Sequence, residues 1–365
     1  MKKVFVVISV LALLTSSCST LERDSLAVDN VITFQTANTL TKADGSLFPS
    51  EEQFSVYAWT LASSLPDHLF MDNVTVLYDE TQEAWIAQGD PYYWPKRTTV
   101  DFLAYYPSDF PGLTVAPGKL TFEGVKVGDL QRDLMFSDKA VGYTDSITEV
   151  DGGMDASDGV PIVFHHSTSR VKVIAELAYN HKEEEDGTVT DWEVAVNSVR
   201  VDSIYTTGSA VFTLATTPEQ GLVGWENPAG NVWTHDDVVT TINGSFSGDI
   251  VPGTTYTVVD DFYVLPQMLT PGMGQKLTIS LTIKTKRNGV DVLREDFSRA
   301  VYLHSNALPA WEINHAYTYR LQLGPAASSG NGGSATDPDL SDAVISFDPA
   351  VDGWQGIGVE TSIEI

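Results

Sequence analysis

Leu277-Thr278-Ile279-Ser280-Leu281-Thr282-Ile283 is the stretch on which the fold class turns. Apolar side chains occupy every second position and hydroxyl side chains the positions between. That is the period of a strand with one buried face. Asn288-Gly289 follows. Both residues tolerate positive φ, so the pair predicts a two-residue hairpin turn. The same alternation recurs upstream, where Val171, Val173, Ala175 and Leu177 are separated by Lys172, Ile174 and Glu176. Val194 and Val196, then Val199 and Val201, come after a polar tip at 180–190. Residues 256–264 and 301–303 are further strand candidates. No long window carries a helical stripe. Many short strands separated by turns predict an all-β chain built from sandwiches. The expected division is one sandwich over 31–165 and a second over 166–324.

The chain has 365 residues, a length suited to two domains. Hydrophobic residues make up 42% and charged residues 19%, which supports a buried core and excludes a mostly disordered chain. Acids outnumber bases 49 to 21, for a net charge of −28. Such a surface repels phosphate backbones, so nucleic acid is excluded as a partner. The single cysteine, Cys18, rules out an intramolecular disulfide and a cysteine-based zinc cluster.

The two ends carry the functional information. Lys2 and Lys3 precede an apolar run over 4–14, too short to span a bilayer but suited to a secretory signal. Thr15, Ser16, Ser17 and Cys18 follow. The segment resembles a bacterial lipoprotein signal, with Thr15 where Leu is usual. The resemblance implies that 1–17 is removed and Cys18 acylated, with 18–30 a polar tether. At the other end, 325–342 is a linker of small and polar residues. Eighteen flexible residues span roughly 5–6 Å × √18, or about 23 Å. Beyond it, in 343–365, come Ile345-Ser346-Phe347, then Trp354 and a Gly-rich turn. Val359, Thr361, Ile363 and Ile365 then alternate with Glu360, Ser362 and Glu364. An isolated strand pair of this size is unstable in water, so the tail must add to an existing sheet. That sheet is either its own or a neighbour's.

Other residues add to this pattern. They include Val31-Ile32-Thr33-Phe34, Thr41-Lys42-Ala43, Phe54-Ser55-Val56-Tyr57-Ala58 and Phe70-Met71-Asp72-Asn73-Val74. Tyr92-Tyr93-Trp94-Pro95 precedes Asp101-Phe102-Leu103-Ala104-Tyr105-Tyr106-Pro107. Arg132-Asp133-Leu134-Met135-Phe136-Ser137, Val163-Phe164-His165-His166 and Val264-Leu265-Pro266-Gln267 follow, then Trp311, Asn314 and Tyr317-Thr318-Tyr319. In this order and spacing the chain resembles a fimbrillin, a subunit of the type V pili of Gram-negative anaerobes. The resemblance implies two tandem transthyretin-like β-sandwiches with a C-terminal strand extension, and an outer-membrane lipoprotein at the cell surface. It implies that a trypsin-like protease cuts beyond the first strand, which leaves. The C-terminal strands of another subunit then fill the groove. On this chain the departing strand carries Ile32 and Phe34 as inward residues. The donor segment carries Ile345, Phe347, Val359, Thr361, Ile363 and Ile365. The cut follows Lys42, where the family usually has Arg. The alternative is Arg23, and a cut there keeps the first strand in place.

Other candidate sites read as structural. His165-His166 on a strand would point to opposite faces and cannot readily share a metal. The run Glu183-Glu184-Glu185-Asp186-Gly187 reads as a solvated hairpin tip. The acidic loop 151–159 lacks the spacing of a calcium loop. No metal site, cofactor or enzyme activity is expected. The expected partners are other fimbrial subunits, the outer-membrane lipid through acylated Cys18, and a host protein or glycan ligand. Tyr92, Tyr93, Trp94, Tyr105 and Tyr106 support a competing reading, a stand-alone glycan-binding surface lipoprotein.

Overall fold

The computed structural model describes residues 31–36, 48–61, 68–96, 98–127, 132–145, 153–215, 220–226, 232–272, 274–305, 308–323, 346–353 and 361–362. For residues 61, 346–353 and 361–362 it describes the backbone alone. The fold is all-β, a succession of strands from Thr33–Thr36 to Thr361–Ser362.

The stretch at 277–283 lies in strand Lys276–Arg287, which pairs antiparallel with Val290–Tyr302. Arg287 faces Val290 across the turn, and Asn288 and Gly289 take φ of 48° and 78°. These are the left-handed values that a two-residue turn needs. On its other side Lys276–Arg287 pairs with Val189–Tyr205. A bulge lies between Val196 and Ser198 and shifts the phase of the alternation by one residue. Val194, Val196, Val199 and Val201 therefore all reach the core.

A second sheet packs against this one. Ser169–Leu177 lies between Thr255–Val264, antiparallel, and His315–Leu323, parallel. Val171, Val173, Ala175 and Leu177 meet Leu277, Ile279, Leu281 and Ile283 in one core, with Trp311, Tyr317 and Tyr319. Trp311 Nε1 donates to the Tyr319 hydroxyl at 2.8 Å, and the Glu312 amide donates to the Tyr317 hydroxyl at 2.7 Å. The Trp311 indole N–H and the Tyr317 and Tyr319 hydroxyls thereby have partners. Burial pushes the ionisation of both phenols well above the usual tyrosine range.

The N-terminal sheet runs Met154–Asp155, Lys139–Thr144, Thr99–Tyr106, Gln53–Leu61, His68–Asp79, Ala84–Ala87, Thr33–Thr36, Val160–Ile162. One face packs Phe34, Phe54, Trp85, Phe102 and Phe164 into an aromatic core. The other face sends Trp59, Leu103 and Tyr105 into a separate core with Phe122, Phe212 and Trp233. Strand pairing joins the two sides of the expected 165/166 boundary. Thr207–Leu214 pairs with Lys119–Lys126, and Gly221–Val223 pairs with Lys139, Ala140 and Val141. The reason is aromatic. Phe212 lies 4.8 Å from Phe136 and 5.8 Å from Phe122, and Trp233 lies 5.7 Å from Phe122. Burying these rings draws the two stretches together.

A charged pair is buried in the N-terminal sheet. Lys139 Nζ lies 2.7 Å from Asp101 Oδ2, with side chains 8% and 4% exposed. The Gly142 amide donates to Asp101 Oδ1 at 2.8 Å, and the Lys139 ammonium lies 5.6 Å from the Trp59 ring centroid. The two adjacent histidines take separate partners. His165 Nε2 lies 2.8 Å from Asp138 Oδ1, and His166 Nδ1 bonds Asp133. The acidic run at 183–187 is exposed, with the Glu184 amide donating to the Thr188 carbonyl. Among the described residues, no three His, Cys, Asp or Glu side chains are placed to hold a metal ion.

Candidate strand-exchange site

The first strand is four residues long, Thr33–Thr36, and sits between two others. Thr33 and Phe34 pair antiparallel with Ile86 and Trp85. Phe34, Gln35 and Thr36 pair parallel with Val160, Pro161 and Ile162. Just before the strand, the Ile32 amide donates to the Tyr92 carbonyl at 2.8 Å, and Val31 bridges Tyr93. Ile32 and Phe34 are 1% and 2% exposed, whereas Gln35 is exposed. Both buried side chains belong to the N-terminal aromatic core. Phe34 meets Phe54 and Phe102 edge-on, with centroids 6.3 and 5.8 Å away.

The grip on this strand is substantial but local. Burying an isoleucine and a phenylalanine contributes roughly 1.5–3 kcal/mol each, as an upper bound. The short ladder adds a few modest hydrogen bonds. If the strand left, Val160–Ile162 would lose its only strand partner among the described residues, while Ala84–Ala87 would keep His68–Asp79.

Two residues near the slot escaped the sequence reading. Phe48 stacks on Phe164 at 5.0 Å and meets Phe54, Trp85 and Tyr106 edge-on. It closes the aromatic core beside the first strand and lies six positions after Lys42. Its one sequence signal is a Leu47-Phe48-Pro49 island in a polar stretch. Gly159 is the other. A Cβ there would lie 3.0 Å from Gln35 Cγ and 3.2 Å from the Phe34 carbonyl carbon, and its φ is +109°. Glycine lets Val160–Ile162 approach the first strand. Gly159→Ala is expected to cost about 1–3 kcal/mol from the backbone conformation alone. The clash with Phe34 and Gln35 adds to this. In chemical denaturation the penalty should shrink once residues 31–36 are absent.

The tail lies at the edge of its own second sheet. Ser346–Gly353 pairs antiparallel with His315–Leu323, from Gln322 opposite Ser346 to His315 opposite Gly353. Thr361–Ser362 pairs with Val351 and Ala350 on the outer side. Of the two destinations left open by the sequence, the tail here takes its own chain. Pro349 stands opposite Tyr319 and has no N–H to give the ladder. Phe347 and Thr361 have described backbones. Cys18, Arg23, Lys42, Ile345, Val359, Ile363, Ile365 and the linker 325–342 lie outside the described residues.

The aromatic residues of the glycan reading do not form one platform. Trp94 and Tyr105 are buried in different cores, Trp94 against Phe102 and Tyr105 stacked with Tyr57. Tyr92 packs on Phe70 and Tyr106 on Phe48. Tyr93 alone among the five is largely open, at 46% exposure.

No curated protein sequence matches the chain. Among solved structures, a fimbrial protein from Bacteroides vulgatus is 15% identical with a TM-score of 0.49, covering 89% of this chain and 100% of its own. The fimbrial anchor protein Mfa2 from Porphyromonas gingivalis is 13% identical with a TM-score of 0.30, covering 90% of this chain and 98% of its own. The sequence profile described as fimbrillin-like matches residues 41–340, most of the chain. The chain belongs to the fimbrillin-like family.

Proposed function

We propose that the chain is a structural, non-catalytic subunit of a surface fimbria that assembles by exchange of strands between copies. Cys18 is acylated and holds the chain on the outer membrane, at the cell surface. Cleavage after Lys42 frees the first strand. The tail of a neighbour, 343–365, then enters the slot between Ala84–Ala87 and Val160–Ile162. The assembled fibre supports adhesion to a host protein or glycan.

One observation supports this most. A short first segment, the four-residue strand Thr33–Thr36 and the Ile32 before it, plugs an aromatic core through Ile32 and Phe34, while the tail of the same chain lies on a sheet edge. An edge strand can peel away without opening the core beneath it, because one side of its ladder is already near-empty. The tail offers four alternating positions, Val359, Thr361, Ile363 and Ile365, against the two deeply buried positions of the departing strand. Filling the vacated slot restores apolar burial and pairs the stranded N–H and C=O groups. Cutting at Arg23 instead would leave the slot filled and make this subunit an anchor or a terminator.

Purified chain lacking residues 1–42 is expected to form ladders that resist mild SDS, and further deletion of 354–365 to abolish them. The N-terminus of sheared fibres should be Ala43. Fibres that retain 31–42, or chains that stay monomeric while binding glycan arrays, would overturn the proposal.

A further inference from the structure

Val290–Tyr302 is the outermost strand of its sheet. It is hydrogen-bonded to Lys276–Arg287 on one side and, among the described residues, to no strand on the other. It is thirteen residues long, and Val290, Val292, Leu293 and Tyr302 are 64%, 53%, 40% and 43% exposed. An exposed edge of this length is a template for another strand. Charged residues ordinarily blunt such an edge. Here Asp291, Arg294, Glu295, Asp296 and Arg299 do so in an order that favours one partner.

From Leu293 to Val301 the ladder is regular, since the one irregularity falls at Val292. In an antiparallel pair the outward-facing backbone groups belong to alternate residues. A second copy of the same strand can therefore pair only in registers centred on a residue. Centring on Arg294, Glu295, Asp296 or Arg299 sets two like charges opposite each other, which is unfavourable. Centring on Ser298 puts Glu295 opposite Val301 and forms no ion pair. Centring on Phe297 brings Glu295 opposite Arg299 twice and Leu293 opposite Val301 twice, with Phe297 facing its own copy. No like charges meet in that register. The Arg299 guanidinium already lies over the Phe297 ring, 5.5 Å from its centroid.

We propose that Val290–Tyr302 is a self-association edge, paired antiparallel with the same strand of a second copy across a two-fold axis through Phe297. The contact is isologous, each copy supplying the same surface. It joins molecules side by side and uses neither the tail nor the first-strand slot. Two copies of a chain with net charge −28 repel, and the two Glu295–Arg299 pairs set the register in which they still fit.

The test uses the uncut chain carrying Cys18→Ser, in which the slot stays filled and no acyl anchor is present. Analytical ultracentrifugation at tens of micromolar protein is expected to show a concentration-dependent dimer. Glu295→Arg and Arg299→Glu should each weaken it by at least about tenfold. The double swap E295R/R299E should restore it, and at concentrations where the parent is monomeric all three variants should keep the parent unfolding midpoint. In the parent, Phe297→Cys should give a disulfide-linked dimer on oxidation. A chain that stays monomeric, or a dimer indifferent to both single substitutions, would overturn the proposal. Neither result bears on strand exchange, because the uncut chain cannot undergo it.

Discussion

Phe34→Ala is expected to lower the stability of the uncut chain by about 3–5 kcal/mol, the cost of emptying an aromatic site in a close-packed core. Phe34 is 2% exposed and meets Phe54 and Phe102 edge-on. Those rings are locked by further aromatic neighbours, Trp85 and Phe164 around Phe54 and Trp94 against Phe102. They have little room to collapse into the space, which places the loss toward the upper end. The unfolding midpoint in urea reports it. A shift of less than about 1 kcal/mol would mean that the first strand contributes little to the core. Thr33→Ala, on the opposite face of the same strand, is the control and should be nearly silent.

Lys139→Met is expected to be about as damaging, by about 3–5 kcal/mol, for a different reason. It removes the ammonium from a pair in which both side chains are almost fully buried, and leaves the Asp101 carboxylate with the Gly142 amide. An unpaired buried charge is costly. Replacing both partners, as D101L/K139M, should recover most of the loss, because a buried ion pair contributes little over apolar side chains of similar volume. A double-mutant cycle in chemical denaturation reads this directly. Single and double variants of equal stability would show that the pair is solvated and unimportant.

The strands were the readable part of the sequence. Alternation at 171–177 and 277–283 and the Asn288-Gly289 turn follow from period and positive φ alone, and the structure has them as expected. The change of phase between Val196 and Val199 was visible in the sequence. Its cause, a bulge opposite Leu281 and Ser280, needed the partner strand. Ile32 and Phe34 were readable as an inward pair. Phe48 was not, because it reaches the core from outside any strand and so has no period. The pairing of Thr207–Leu214 with Lys119–Lys126 left no local signal, since its partners are about 90 residues apart in the chain. The buried Lys139 and Asp101 resemble solvated charges in any pattern, and only their proximity shows otherwise. The tail looked like a strand in need of a sheet, but its amphipathic pattern suits any apolar slot equally. Its position beside His315–Leu323 is a fact of the three-dimensional structure.

The central claim is that the tail can occupy the place of the first strand. Native mass spectrometry of the chain cut after Lys42, incubated with a synthetic peptide of residues 343–365, tests it most directly. The predicted result is a complex of 43–365 with one peptide and without the N-terminal fragment ending at Lys42, together with an unfolding temperature restored to that of the uncut chain. Retention of the fragment with no peptide bound, at any excess of peptide, would contradict it.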